Sequence, residues 1–112
     1  MNGFNALLSV VNALNIKNLP SAIGLIDNSV KKNVLDNISV LKLSVEEGYL
    51  DGNIRYELNR NKVECHVVKA ENDIRTIRFV YLKSKNMFEM LSLESFQENY
   101  KKKIYELCQD SK

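Results

Sequence analysis

The sequence has few of the residues that build metal sites, disulfide networks or extended linkers. It contains no tryptophan, one proline, one histidine, two cysteines and four glycines among 112 residues. His66, Cys65 and Cys108 are too few for a tetrahedral structural zinc site, so we expect neither a metal nor a cofactor. We also expect both thiols to be reduced, which places the protein in the cytoplasm.

Long apolar runs are absent as well. No stretch approaches the roughly 18 to 20 consecutive apolar residues that cross a bilayer, so we predict no membrane span. Residues 1–16 carry no charge, but they lack the basic start of a signal peptide and are interrupted by four asparagines. The chain has 14 asparagines in all, a bias typical of A/T-rich genomes, and we expect a bacterial or phage origin.

The net charge is small and unevenly distributed. Sixteen Lys and Arg against 14 Asp and Glu give +2, which is too little to indicate nucleic-acid binding on its own. Residues 1–52 carry four basic and five acidic side chains, whereas residues 53–112 carry twelve and nine. With 45% apolar residues and no repeat or linker, the composition predicts one domain over residues 1–112.

Apolar residues in the N-terminal part recur at steps of three and four, which predicts helices within residues 1–47. The stripe of the first helix consists of Phe4, Leu7, Leu8, Val11 and Leu14. The second stripe consists of Ile23, Ile26, Val30, Val34, Ile38 and Leu41. This second stripe forms one helix or two, because Asp27-Asn28-Ser29 reads equally well as a turn with a new N-cap. Gly48 is the predicted helix stop.

After Gly48 the period changes to two, which predicts a four-stranded antiparallel meander over residues 53–93. Its strands are Ile54–Leu58, Val63–Val67, Arg75–Leu82 and Met87–Leu93. A closing helix over residues 95–109 follows, because Ser95 and Glu98 have the spacing of a capping box. We therefore predict an α+β fold: two N-terminal helices, the antiparallel meander, and a C-terminal helix packed on one sheet face, with the other face open.

One register gathers the apolar residues of these strands on a single core face. It pairs Tyr56 with Cys65, Cys65 with Phe79, and Phe79 with Met90.

The same register places three side chains in one row on the open face, and these are the catalytic candidates: Arg55, His66 and Arg78. A histidine between two fixed cations suits phosphate chemistry, because guanidinium groups stabilise an anionic oxygen while imidazole transfers a proton near neutral pH. The competing interpretation is an ordinary solvent face of alternating arginine and glutamate.

Lys101, Lys102 and Lys103 form the strongest local basic run, and with Arg55 and Arg78 they are the candidates for nucleic-acid binding. The alternative is a solvated helix face, in which at least two of the lysines point into solvent. No aromatic side chain is predicted to be exposed among them, and RNA therefore stays a possible partner rather than the expected one.

Residues 63–103 resemble the RelE/HigB superfamily of small bacterial RNA-cleaving toxins. The resemblance rests on Glu64-Cys65-His66, Ile74-Arg75, Phe79-Val80-Tyr81 and Met90-Leu91, followed by Phe96 and a basic helix. It implies RNA cleavage by basic and aromatic side chains on an exposed sheet surface, and a cognate antitoxin.

A second fragment, Glu46-Glu47-Gly48-Tyr49-Leu50 with the residues from Leu41 onward, resembles the passage from recognition helix to wing in winged-helix DNA-binding proteins. That resemblance implies DNA binding by the helix that precedes Glu46.

The uncharged stripe of the first helix must be covered. The helices predicted at residues 23–41 and 96–108 already cover a four-stranded sheet, so we expect Phe4, Leu7, Leu8, Val11 and Leu14 to form an interface with a protein partner or a second copy. The alternative is that this helix completes the core of its own chain. The function we expect is a small regulatory or accessory protein that acts by protein binding rather than catalysis, with the toxin-like and DNA-binding readings as alternatives.

Overall fold

The computed structural model describes residues 23–33, 41–84 and 88–109. The predicted first helix and its proposed interface lie outside these residues. The described elements, in chain order, are β1 Ile23–Ile26, α1 Asn28–Asn33, β2 Lys42–Val45, a 3₁₀ turn Glu47–Tyr49, α2 Gly52–Arg60, β3 Glu64–Glu71, β4 Thr76–Lys83, β5 Phe88–Ser92, α3 Leu93–Glu98 and α4 Tyr100–Gln109.

The strands form one sheet in the order β1-β5-β4-β3-β2. The four strands β5, β4, β3 and β2 are antiparallel, and β1 is added to the edge of β5 in parallel. The α+β class and the presence of four antiparallel strands are therefore confirmed. The strands that form the sheet differ from those predicted, because the first antiparallel strand is β2 and not residues 54–58.

The predicted strand Ile54–Leu58 is wrong, since these residues lie within α2. The Asp51 side chain starts this helix by accepting a hydrogen bond from the backbone N–H of Ile54 at 2.9 Å. Ile54 and Leu58, four residues apart, are buried on one side of the helix, whereas Tyr56 between them is exposed.

The prediction of helices within residues 1–47 is also wrong for much of the described part. Ile23–Ile26 and Lys42–Val45 are strands, and only the six residues of α1 are helical between them in the described part. Asp27 Oδ1 accepts from the Ser29 backbone N–H at 2.7 Å at the start of α1. The residues before this turn form a strand, so the second stripe is not the predicted pair of helices. Because a strand precedes Glu46, the winged-helix reading of this fragment lacks its recognition helix. Gly48 lies inside the 3₁₀ turn and does not end a helix.

The predicted register is wrong by an odd number of residues between β3 and β4. Cys65 pairs with Leu82, and Phe79 pairs with Val68. Since side chains alternate along a strand, this slip places Cys65 and Phe79 on opposite faces of the sheet. Between β4 and β5 the slip is even, because Phe79 pairs with Ser92 and not with Met90, and the faces are kept.

Both faces of the sheet are covered, in contrast to the predicted open face. The first core lies on one face and consists of Val30, Leu41, Val68, Ala70, Phe79, Tyr81 and Met90. The second core lies on the other face and consists of Leu50, Ile54, Leu58, Val67, Val80, Leu82, Leu93, Phe96, Ile104 and Leu107. In β4, four consecutive apolar residues are buried, a run typical of strands covered on both sides.

The C-terminal helical segment is divided in two, α3 and α4. Residues from α2, α3 and α4 together form the helical layer of the second core. Ser92 caps α3 by accepting from the Ser95 backbone N–H at 3.2 Å, and Asn99 separates α3 from α4.

Candidate functional site

The three predicted catalytic candidates do not form a row. Arg55 lies on α2, while His66 and Arg78 lie on neighbouring strands but on opposite faces of the sheet. The odd slip between β3 and β4 separates His66 from Arg78, and the helical state of residues 54–58 removes Arg55 from the sheet. Phosphate chemistry that needs all three side chains together has no geometric basis here.

Arg55 and His66 nevertheless line one cleft. This α2–β3 cleft has a volume of about 320 Å³ and is lined by Leu50, Arg55, Leu58, Asn59, Val63, Glu64, Cys65 and His66. His66 Nε2 lies 3.3 Å from Glu64 Oε2, and the His66 side chain is 12% exposed. Arg55, Glu64 and His66 therefore all border one cleft, although His66 pairs with Tyr81 on the first-core face of the sheet and α2 packs on the second-core face.

Tyr81 lies opposite His66 on β4, with its ring stacked on Phe88 at 5.0 Å between centroids. Burial raises the pKa of Tyr81 to about 12, with a smaller contribution from the negative charge of Glu64. Its hydroxyl group is therefore protonated at neutral pH.

Arg78 is engaged within the protein on the other face. Its Nε donates to Glu46 Oε1 at 2.7 Å, and its guanidinium carbon lies 4.4 Å from the centre of the Tyr49 ring. Lys69 Nζ lies 3.7 Å from Glu46 Oε2 and 3.5 Å from Glu71 Oε2. The hydrogen bond from Arg78 lowers the pKa of Glu46, and the same bond raises the pKa of Arg78. The network ties the 3₁₀ turn to the sheet.

The lysine run is divided between two roles. Lys101 and Lys102 are exposed, as predicted for two of the three lysines. Lys103 points inward, where Nζ lies 2.7 Å from Glu89 Oε2 and 3.3 Å from Glu106 Oε1. Glu89 is 4% exposed and is the buried charged residue of the described cores. The sequence pattern did not predict this ion pair, although an acidic residue inside an apolar strand is a signal for one.

Two exposed tyrosines accompany the cations of the helical layer. Tyr56 on α2 is 63% exposed and Tyr105 on α4 is 65% exposed. The prediction had placed Tyr56 in the core. The two helices pack together, with Cys108 Sγ 4.0 Å from the Asn61 carbonyl oxygen. We define the basic helical face as Arg55, Tyr56, Arg60, Lys62, Lys101, Lys102 and Tyr105.

The basic surplus of the chain is concentrated in this layer. Residues 52–62 and 100–109 carry six Lys and Arg against two Glu, a net +4 where the whole chain has only +2. Both glutamates lie beside cations, since Glu57 Oε1 is 3.6 Å from Arg60 Nη1 and Glu106 is next to Lys103. The basic helical face is therefore positively charged against a slightly acidic remainder.

The two cysteines are half-buried at the margin of the second core. Within residues 23–33, 41–84 and 88–109, no group of three His, Cys, Asp or Glu side chains is placed to hold a metal ion. Over the same residues, no helix is long and apolar enough to cross a membrane.

Comparisons with known proteins identify no relative. No protein-family profile matches the chain, and neither the curated proteins nor the solved structures contain a significant match. The likeness to the RelE/HigB superfamily therefore stays a sequence-based hypothesis.

Proposed function

We propose that this protein is a cytoplasmic regulatory or accessory protein that acts by binding an anionic macromolecular partner through the basic helical face. The observation that carries the proposal is the combination of two tyrosines, 63% and 65% exposed, with a local charge of +4. Tyr and Arg are enriched among the residues that dominate binding energy at interfaces, because they bury a large area and also form polar contacts. An acidic protein surface and a nucleic acid both fit this charge.

Binding is favoured over catalysis because two of the candidate cations have partners inside the fold. Arg78 is held by Glu46, and Lys103 is held by Glu89. The exposed cations Arg55, Lys101 and Lys102 lie on helices, whose solvent-facing surface is available to a large partner.

Chromatography on immobilised heparin tests the proposal with a matched control. Lys101→Ala/Lys102→Ala removes two charges from the basic helical face. Lys31→Ala/Lys32→Ala removes two exposed charges from α1, whose Val30 packs in the first core on the other side of the sheet. We expect the first variant to elute at clearly lower salt than the wild type and the control to elute close to it. Equal shifts of both variants, or a wild type that is not retained, would contradict the proposal.

RNA cleavage in the α2–β3 cleft is the second candidate function. The observation that favours it is the presence of Arg55, Glu64 and His66 around one cleft. Expression in bacteria tests it: growth arrest with cleaved messages and intact ribosomal RNA supports a toxin, whereas harmless high expression argues against one. His66→Ala and Arg55→Ala should each relieve the arrest if the cleft is responsible.

A homodimer or a protein complex formed by the first helix is a separate proposal that rests on the sequence alone. Sedimentation of the full-length protein beside Leu7→Asp/Val11→Asp decides between its outcomes. A wild-type protein that stays monomeric at high concentration would rule out the homodimer. A double variant that unfolds rather than dissociates would show that the helix belongs to the core of its own chain.

A further inference from the structure

We infer that the basic helical face binds single-stranded nucleic acid, with Tyr56 and Tyr105 as stacking platforms for unpaired bases. The inference rests on the proposed function, because it names the partner of the same surface. Single strands present flat bases and phosphates at short intervals, and proteins bind them with aromatic rings set among cations.

Each tyrosine is placed beside cations at helical spacing. Tyr105 follows Lys101 by four residues and Lys102 by three, and Tyr56 precedes Arg60 by four. Residues three and four apart on a helix are surface neighbours, about 5 to 6 Å apart at their β-carbons. When a base stacks on either ring, a neighbouring cation can therefore reach the phosphate of that nucleotide or of the next one.

Both rings point away from the core. Tyr56 lies two residues from the buried Ile54 and from the buried Leu58, and two residues correspond to about 200° around a helix. It therefore occupies the side of α2 opposite to the second core. Tyr105 follows the buried Ile104 directly and is itself exposed on α4.

The two platforms lie close to the point where the helices meet. Asn61 contacts Cys108 there. Tyr56 precedes Asn61 by about 7.5 Å along the axis of α2, and Tyr105 precedes Cys108 by about 4.5 Å along α4. We therefore expect a single strand of a few nucleotides to reach from one ring to the other, a length within the usual site size of small single-strand-binding domains.

The exposed tyrosine rings favour a single strand over the other anionic partners. In a duplex the base faces are stacked on each other, so the tyrosines would have no partner there. An acidic protein surface is complementary to the cations, but its carboxylates can bind only the hydroxyl groups of the tyrosines, whereas an unpaired base stacks on the ring. Repulsion from carboxylates is limited because Glu57 and Glu106 already lie beside Arg60 and Lys103.

Fluorescence anisotropy of a labelled oligouridylate of about 12 nucleotides tests the inference. We expect Tyr56→Ala and Tyr105→Ala each to weaken binding by about fivefold or more, the equivalent of at least one stacked base, with an unchanged salt dependence. The matched variants Tyr56→Phe and Tyr105→Phe keep the ring and should bind like the wild type. Lys101→Ala/Lys102→Ala should reduce the slope of log K against log salt by about 1 to 2, whereas Lys31→Ala/Lys32→Ala should not.

The remaining outcomes separate this inference from the proposed function. A duplex of the same sequence that binds as tightly as the single strand would overturn the inference. Binding of polyglutamate or heparin that depends on the lysines but not on the tyrosines would overturn it and leave an acidic partner as the function. Absence of binding to every polyanion would overturn both. Because both tyrosines are exposed, their alanine variants are expected to keep the wild-type denaturation midpoint, which controls for folding.

Discussion

Lys103 and Glu89 form an ion pair at the margin of the second core, with 2.7 Å between Nζ and Oε2. Burial opposes the charge of Lys103, but the hydrogen bonds and negative charges of Glu89 and Glu106 outweigh it, so the pKa of Lys103 is raised. A lysine with a raised pKa contributes stability that is fully present at neutral pH and is lost only as the pH rises through that pKa. The Lys103 ammonium group is therefore charged throughout the physiological range, and its stability contribution is lost only at alkaline pH.

We predict that Lys103→Met destabilises the protein by about 2 to 4 kcal/mol, because it leaves the Glu89 carboxylate buried without a cation. Lys103→Met/Glu89→Gln should recover part of that loss, since no buried charge remains. Urea denaturation at neutral pH measures both. Lys102→Met, an exposed neighbour, is the control and should change stability by no more than about 0.5 kcal/mol. A Lys103→Met variant as stable as this control would show that Glu89 reaches solvent.

At the scale of the elements, α2 depends on its first residues. Asp51 Oδ1 accepts the Ile54 backbone N–H, and the β-branched and aromatic residues that follow do not by themselves specify a helix. We predict that Asp51→Ala costs about 1 kcal/mol of stability, while Asp51→Asn, which keeps an acceptor oxygen, costs much less. Equal effects of the two substitutions in chemical denaturation would show that the side chain does not act as a cap.

The connection between the 3₁₀ turn and β4 is predicted to be sensitive to acid. Arg78 lowers the pKa of Glu46, so the stability that this carboxylate contributes is present above its unfolded pKa and is lost as the pH falls through the lower folded value. We predict that Glu46→Gln destabilises the protein at pH 7 and makes its stability fall less steeply than that of the wild type between about pH 5 and pH 3. Denaturant midpoints over this range provide the measurement, and parallel curves for the two proteins would contradict the prediction.

At the scale of the whole molecule, a single sheet separates two cores. Phe79 is fully buried on one side and Phe96 on the other. We predict that Phe79→Ala and Phe96→Ala each cost about 3 to 5 kcal/mol, and that the two losses add to within about 0.5 kcal/mol in the double variant, because the side chains belong to different clusters. Strong coupling between the two losses would contradict the separation. Where the double variant does not fold, Phe79→Leu/Phe96→Leu provides the same test with smaller losses.

The sequence correctly predicted the α+β class, the strands β3, β4 and β5, and the closing helical segment. In these regions the apolar periodicity extends over enough residues to distinguish a strand from a helix. Eight-residue strands with β-branched and aromatic side chains on either side of Asn72 to Arg75 indicate a hairpin. In the same region Asn72 Oδ1 accepts the backbone N–H groups of Ile74 and Arg75, as expected for an Asx turn. The exposure of Lys101 and Lys102 could also be read from the helical period.

The strand predicted at residues 54–58 was wrong because the segment fits both the two-residue period of a strand and the 3.6-residue period of a helix. Ile54, Tyr56 and Leu58 alternate like a strand, while Ile54 and Leu58 alone have the spacing of a helix. The sequence therefore could not assign Tyr56 to the core or to the surface. The cap at Asp51 and the second core decided between the periods, and with them the existence of the basic helical face.

The sequence by itself determined the α+β class, the hairpin and the position of the basic surplus, because these follow from residue type and local spacing. Only the tertiary structure decided the register and the covering of both faces. Four consecutive apolar residues in β4, Phe79 to Leu82, present apolar side chains to both faces of the sheet. A register shifted by an odd number of residues against β3 therefore fits the apolar pattern equally well. Packing of helices on the second face selects the register, and in doing so it separates His66 from Arg78.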